Sequence, residues 1–393
     1  MSYFTFILSL LNPVYALIFS ITGIIKRSSN YLVLSSFALA FALISFSIKP
    51  FVELDLYRHY IRIENLLGLP FSKVLDTTDT GYLLFDIYAW LIINLGFPKQ
   101  IFTASIIFIS YMLVLSVYKD IKSNYLQHVR LSTIAVSFLI FWLSIDFVLL
   151  SSGIRSIFSN IIVFYVSYYL IFNSRFLLFI FGVILAFFIH PGSLVPSLLI
   201  SVAILSHRII NKPKIFVIIG LVLIVGSSIV YNIIEFISSY LVGFSFYSPA
   251  YLSQDNTSSG AGSLQARNLN GIFGDFIIAR LPGYIAFFYL LLLKNRSKDP
   301  LYLTLCLGVL YLGLFFQYFT IYERFNSFFV LLFSLFIILE YSREPNNFNK
   351  LFIIFFSSSL VIYSIFNLFR YYSYLSSAVE VLYKPLLLIV FNI

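Results

Sequence analysis

Long, continuously apolar runs, broken by short basic or aromatic segments, make up most of this chain. The runs do not alternate apolar with polar, so they predict helices and not the strands of a barrel. A hydrocarbon layer of about 30 Å takes about 20 apolar residues per helix. Spans are expected near 3–25, 31–48, 101–118, 131–150, 156–172, 176–190, 192–206, 215–233, 276–294, 301–320, 325–341 and 351–368. The expected fold is an all-α, polytopic integral membrane bundle of about 12 transmembrane helices. Residues 1–393 read as a single transmembrane domain with two long outer loops, 49–80 and 234–275.

Two segments depart from the simple pattern. Residues 81–96, GYLLFDIYAWLIINLG, are apolar but short and carry Asp86. A re-entrant or interfacial helix there keeps the following basic loop on the side of the other basic loops; the alternative is a true span. Residues 176–206 are apolar between basic flanks and are broken by His190-Pro191-Gly192-Ser193. Proline removes a donor and glycine relaxes the backbone, so two short helices meeting at this break are expected, with His190 at the outer end of the first.

Composition supports the membrane reading. Of 393 residues, 60% are hydrophobic and 10% charged, against roughly 25% charged in soluble domains. Mean hydropathy is +0.97. The net charge of +9 does not point to nucleic acid. The basic residues cluster in short loops, at Lys26-Arg27, 119–130, Arg175, 207–214, 294–298 and 343–350, the pattern that marks cytoplasmic loops. A single cysteine, Cys306, rules out an intramolecular disulfide and a cysteine metal cluster. The first apolar run lacks basic residues ahead of it and a small-residue cleavage site, so no removable signal peptide is expected. The 46 Phe and 29 Tyr supply packing, an interface belt and surfaces on which sugar rings stack.

Against this background the few charges inside or beside apolar runs stand out. Arg155, His190, Arg280 and Arg324 are four such residues. A charge at membrane depth costs about 2.5–3.5 kcal/mol even on lenient insertion scales. Arginine's planar fork matches phosphate, so an anion site is expected. Ser151-Ser152-Gly153-Ile154-Arg155 opens a span, where helix amides attract anions but an arginine is unfavourable for the dipole. His190 reads either as a hydrogen-bonded core histidine or as a base accepting a proton from a hydroxyl. Arg280 is followed by Pro282-Gly283, another helix irregularity. Tyr322-Glu323-Arg324 is expected at an outer turn between two spans. Arg267 and the polar stretch 254–260 lie in the second loop, which reads as a plain surface loop or a lid. In the first loop, Asp55, Tyr57, Arg58 and His59 are dense for this chain, following Glu53. They read as a salt-bridged interfacial helix or as an acceptor-binding and acid/base cluster; Asp55 and Arg58 have i, i+3 spacing. Two carboxylates and one histidine are too little for a metal, and none is expected. No Walker loop, dinucleotide fingerprint, HExxH or GxSxG occurs, so no cofactor is expected.

The order of these motifs resembles the EpsG-like and Wzy-type bacterial polysaccharide polymerases, whose products include O-antigen, capsule and exopolysaccharide. Asp55 and Tyr57 fall in the first outer loop, Gly81-Tyr82 opens an apolar segment, Gly153-Ile154-Arg155 starts a helix, and Phe188 and His190 end one. The likeness covers roughly residues 50–200. It departs at Val52-Glu53-Leu54, where a Gly-Thr is usual, and at Ser156, where a Gln is usual. The resemblance implies a glycosyltransferase in the bacterial inner (cytoplasmic) membrane with its site facing the periplasm or exterior. It implies polyprenyl-diphosphate-linked oligosaccharides as donor and acceptor, undecaprenyl diphosphate as the carrier, and a chain-length regulator and flippase as pathway partners. Arg155, His190 and Asp55 would be catalytic. Arg280, Arg324, Glu323, Tyr322, Arg58, His59, Tyr57 and Arg267 would bind substrate. The rival reading is a transporter or flippase for a lipid-linked oligosaccharide, using the same arginines without chemistry.

Overall fold

A computed structural model of the chain describes residues 2–26, 30–50, 55–77, 82–240, 277–294, 296, 298–370 and 378. Glu53, Gly81 and Arg267 lie outside the described residues, as does most of the expected second outer loop. Among the described residues every regular element is helical, as the unbroken apolar runs predict. The chain divides into two compact units, residues 1–194 with 367–393, and residues 195–366.

The first unit begins with α1 (Ser2–Leu11), α2 (Pro13–Ile25) and α3 (Tyr31–Phe46). The expected span 3–25 is therefore two helices. Pro13 has no N–H and cannot continue α1; Asn12 caps α2 instead, its Oδ1 accepting from the Val14 and Tyr15 amides at 3.0 and 3.2 Å. The expected loop 49–80 holds α4 (Asp55–Asn65) and α5 (Phe71–Thr77). Next come α6 (Leu83–Asn94), α7 (Gln100–Tyr125), α8 (Leu131–Ser144), α9 (Phe147–Ser152), α10 (Ile154–Asn173) and α11 (Phe176–Ile189). Pro191–Ser193 forms one 3-10 turn at the anticipated break.

With 12 residues α6 is about 18 Å long at 1.5 Å per residue, short of a bilayer core. It is tied to the loop before it. Trp90 Nε1 donates to the Leu69 carbonyl at 2.8 Å, Asn94 Nδ2 to that of Leu66 at 3.1 Å, and the Gly68 amide to Asn94 Oδ1 at 2.9 Å. Gly68 has φ 73°, a conformation that favours glycine. A short helix anchored in this way fits the re-entrant or interfacial reading of 81–96.

The second unit contains α12 (Leu194–Ser206), α13 (Lys214–Val225), α14 (Ser227–Tyr240), α15 (Leu281–Leu292), α16 (Pro300–Leu314), α17 (Phe319–Arg343) and most of α18 (Asn347–Arg370). The expected span 215–233 bends by 86° between α13 and α14, at Gly226. The expected turn at 321–324 is also displaced. No Gly or Pro occurs between Gly313 and Pro345, so helix α17 runs unbroken through Tyr322-Glu323-Arg324, and the turn falls at 315–318. Helices α13 and α16 cross at backbone contact: a Cβ on Gly220 would lie 2.6 Å from the Val309 carbonyl oxygen.

Among the described residues five helices are long and apolar enough to cross a membrane: α7, α8 with α9, α10, α17 and α18; the bent α13–α14 pair makes six. The other apolar helices have 10–17 residues, which is about 15–26 Å. The expected count of about 12 spans by apolar length is not reached among the described residues.

Candidate functional site

In each unit the basic loops gather at one end of a long helix, and a guanidinium stacks on aromatic rings at the other. In the first unit Lys122 Nζ donates to the carbonyls of Ile24 and Lys26, at 2.5 and 2.9 Å. Asp120 accepts from the Tyr169 hydroxyl at 2.8 Å, and Arg175 lies 5.1 Å from the Tyr169 ring. These contacts bring the loops at 26, 119–130 and 175 to the C-terminal end of α10. Arg155 sits in the first turn of that 20-residue helix, about 30 Å away.

Half-buried Arg155 packs its Cζ 4.2 Å from the Tyr82 ring centre and 5.6 Å from that of Phe85. The same Tyr82 ring lies 6.0 Å from His190 at an interplanar angle of 57°. Tyr82 therefore joins Arg155 and His190, two of the three residues expected to be catalytic. Stacking uses the face of a guanidinium and none of its five N–H donors. His190 ends α11 with extended backbone and takes a hydrogen bond from the Gly192 amide on Nδ1, at 3.1 Å. Nδ1 is an acceptor here, so the neutral ring carries its hydrogen on Nε2. In this tautomer Nε2 donates. Taking a proton from a hydroxyl at Nε2 requires the other tautomer and loss of the Gly192 bond.

Helix α4 separates the first-loop cluster. Asp55 and Arg58 pair at 3.5 Å on its exposed side, and Tyr57 is half-buried. His59 faces inward, 6% exposed, with its ring 5.3 Å from Phe85. Burial pushes the nearby Tyr60 phenol up to about 12. Asp55 and Arg58 thus form the i, i+3 salt bridge that their spacing suggested, while His59 joins the aromatic packing around Phe85.

Asp86 follows Phe85 on α6 and is 1% exposed. Its Oδ2 pairs with Arg62 Nη2, and its Oδ1 has no hydrogen-bond partner. Asp146 interrupts the expected span 131–150. It caps α9, its Oδ1 accepting from the Leu149 amide at 3.0 Å, while its Oδ2 accepts from Asn367 Nδ2 at 2.6 Å. Sequence marks each carboxylate as a polar intruder in an apolar run, but its partner is 24 or 221 residues distant.

In the second unit Arg280 caps α15 and is 1% exposed. Its Cζ lies 4.0 Å from the Tyr322 ring centre and 4.2 Å from that of Phe316. Tyr284 and Glu323 are its polar neighbours. Arg324 and Glu323 are half-buried on the first turns of α17. The other end of this 25-residue helix carries the ion network. Arg296 pairs with Glu340 and Glu344 at 3.0 and 2.6 Å, and Arg343 with Glu340 and Asp299 at 3.2 and 3.3 Å. The hydrogen bond from Arg296 holds the Glu344 carboxyl below its ordinary range. Loops 294–298 and 343–350 therefore meet here, roughly 25 Å along the helix from Tyr322. Phe316, Tyr284 and Asn326 carried no signal in the sequence, since an aromatic or an amide in an apolar run is ordinary core.

Comparison with curated proteins gives no match, and comparison with solved structures gives none. The model of the EpsG family matches residues 30–376, nearly the whole chain and both of the arginine-bearing units. The chain belongs to the EpsG family, the polysaccharide polymerase family that its loop, helix-start and Phe-x-His motifs resemble.

Proposed function

We propose that this protein is a membrane glycosyltransferase of the Wzy type. It lengthens a glycan carried on a polyprenyl diphosphate, undecaprenyl diphosphate being the bacterial carrier, at the outer face of the inner membrane. The observation that carries the proposal is the opposition described above: each unit has basic loops at one helix end and an arginine on aromatic rings at the other. Basic loops mark the cytoplasmic side, which supports an outward-facing position for each arginine, within reach of a lipid-linked diphosphate at the bilayer surface.

In the proposed step a hydroxyl oxygen of the acceptor unit attacks the anomeric carbon of the donor. The bond from that carbon to the diphosphate oxygen breaks, and the lipid diphosphate leaves with the electron pair. Arg155, its face held by Tyr82, offers N–H groups to the leaving diphosphate; Arg280 and Arg324, in the second unit, remain candidates for binding substrate. His190 Nε2–H donates to the charge developing on the leaving diphosphate. The hydroxyl proton passes to a carboxylate, for which Asp55 is the exposed candidate on α4. Glu323, Tyr57, Arg58, His59 and Arg267 remain candidates for sugar contacts. A flippase and a chain-length regulator of the same pathway are the partners this reading implies.

The test is purified protein in liposomes supplied with lipid-linked repeat units. Longer glycan is expected, and Arg155→Ala should slow extension about 10²–10³-fold, as removal of one such donor typically does. Translocation without lengthening would make the protein a transporter and overturn the proposal. Wild-type extension rates from Arg155→Ala would remove that residue from the site.

A further inference from the structure

Asn326 lies one turn beyond Tyr322 on α17, so the two side chains share a helix face. That face meets α15 at Gly283, three residues after Arg280. A Cβ on Gly283 would lie 2.7 Å from Asn326 Oδ1 and 3.5 Å from the Tyr322 hydroxyl. The glycine thus lets two polar atoms approach the backbone of α15 from one side. Both residues are deeply buried, Asn326 at 8% and Tyr322 at 1% exposed, and neither Asn326 Oδ1 nor the Tyr322 hydroxyl has a hydrogen-bond partner. Buried polar atoms are nearly always paired, so two unpaired ones converging on one glycine call for a ligand.

The chemistry of the three groups narrows that ligand. Asn326 Oδ1 only accepts. The Tyr322 hydroxyl donates and accepts. Arg280, whose Cζ lies 4.0 Å from the Tyr322 ring centre, only donates and favours an anion. A ligand hydroxyl would meet both unpaired atoms, and an anionic group beside it suits the guanidinium. We infer that Arg280, Tyr322 and Asn326 form a subsite for a glycosyl phosphate, in which Arg280 holds the phosphate and Asn326 with Tyr322 reads a hydroxyl of the attached sugar. This rests on the polymerase reading for the origin of the ligand, while the convergence of two unpaired polar atoms on Gly283 stands on the geometry.

The probes are a short-chain prenyl diphosphate carrying one hexose and the same prenyl diphosphate without sugar. Their binding to the full chain in detergent is measured by native mass spectrometry. Wild type should favour the hexose-bearing probe. Asn326→Leu should weaken that probe about tenfold, the worth of one net hydrogen bond with its unpaired partner, and leave the bare diphosphate unchanged. Arg280→Gln should weaken both. Gly283→Ala adds a methyl that displaces only the end of the Asn326 side chain, so it should reproduce the Asn326→Leu loss in a folded protein. Tyr322→Phe reads the pocket independently if Asn326→Leu does not fold, and should also reduce the preference. Equal binding of the two probes by wild type, or an undiminished preference in Asn326→Leu and Gly283→Ala, would overturn the subsite. A wild-type sugar preference that Asn326→Leu abolishes, in a protein that lengthens no glycan, would support the subsite and overturn the polymerase reading alone.

Discussion

Removing Arg62 should destabilise the first unit far more than removing its partner Asp86. The carboxylate is 1% exposed, and the Arg62 side chain is 38% exposed. Asp86 Oδ1 has no hydrogen-bond partner, so Arg62 is the donor that offsets the burial of this charge. Breaking a buried pair from one side costs about 3–5 kcal/mol. The partial exposure of Arg62 lowers this through solvent screening, to about 2–3 kcal/mol for Arg62→Ala. Asp86→Leu removes the buried charge and leaves an arginine that reaches solvent, so its cost should stay below about 1 kcal/mol. The double variant should recover most of the Arg62→Ala loss. Equilibrium unfolding in mixed micelles, run as a double-mutant cycle, measures all three. Arg62→Ala within about 0.5 kcal/mol of wild type, or Asp86→Leu as costly as Arg62→Ala, would refute the argument.

Three further predictions concern single positions. His190→Asn can keep an acceptor for the Gly192 amide but has no atom at Nε2; melting should be unchanged while glycan extension falls at least about tenfold, as loss of a donor to developing charge implies. Gly220→Ala sets a methyl against the Val309 carbonyl, backbone that cannot swing aside, and should cost about 1–3 kcal/mol in the same unfolding assay. Lys122→Met removes the donor to the Ile24 and Lys26 carbonyls; hydrogen exchange should rise over the last turn of α2, with a loss of about 1–3 kcal/mol from the buried acceptors left unpaired.

Apolar length and the absence of alternation determined that the described elements of this chain are helical and that it is a membrane protein, because those properties act residue by residue along one segment. Local breakers were legible for the same reason: the stop at His190-Pro191-Gly192 and the irregularity at Arg280-Leu281-Pro282 both appear where expected. Where a breaker was overlooked, at Asn12-Pro13, or imagined, at 321–324, the boundary moved with it. The basic loops also foretold which helix ends gather, through charge asymmetry alone.

Tertiary structure decided the rest. The resemblance marked Tyr82 only as the start of an apolar segment; packing at the head of α6 placed it between Arg155 and His190. The tautomer of His190 followed from a backbone amide two residues on, an orientation that no pattern of residue types specifies. Asp86 needed a counter-charge by any electrostatic argument, but Arg62 became that partner only through the packing of α4 on α6. Asn326 is an ordinary letter in an apolar run, and Gly283 read only as part of a helix irregularity; what they mean together lies in the crossing of α15 and α17. Contacts between distant segments depend on the direction each side chain takes and the angle at which helices meet, and neither is encoded in hydropathy or spacing.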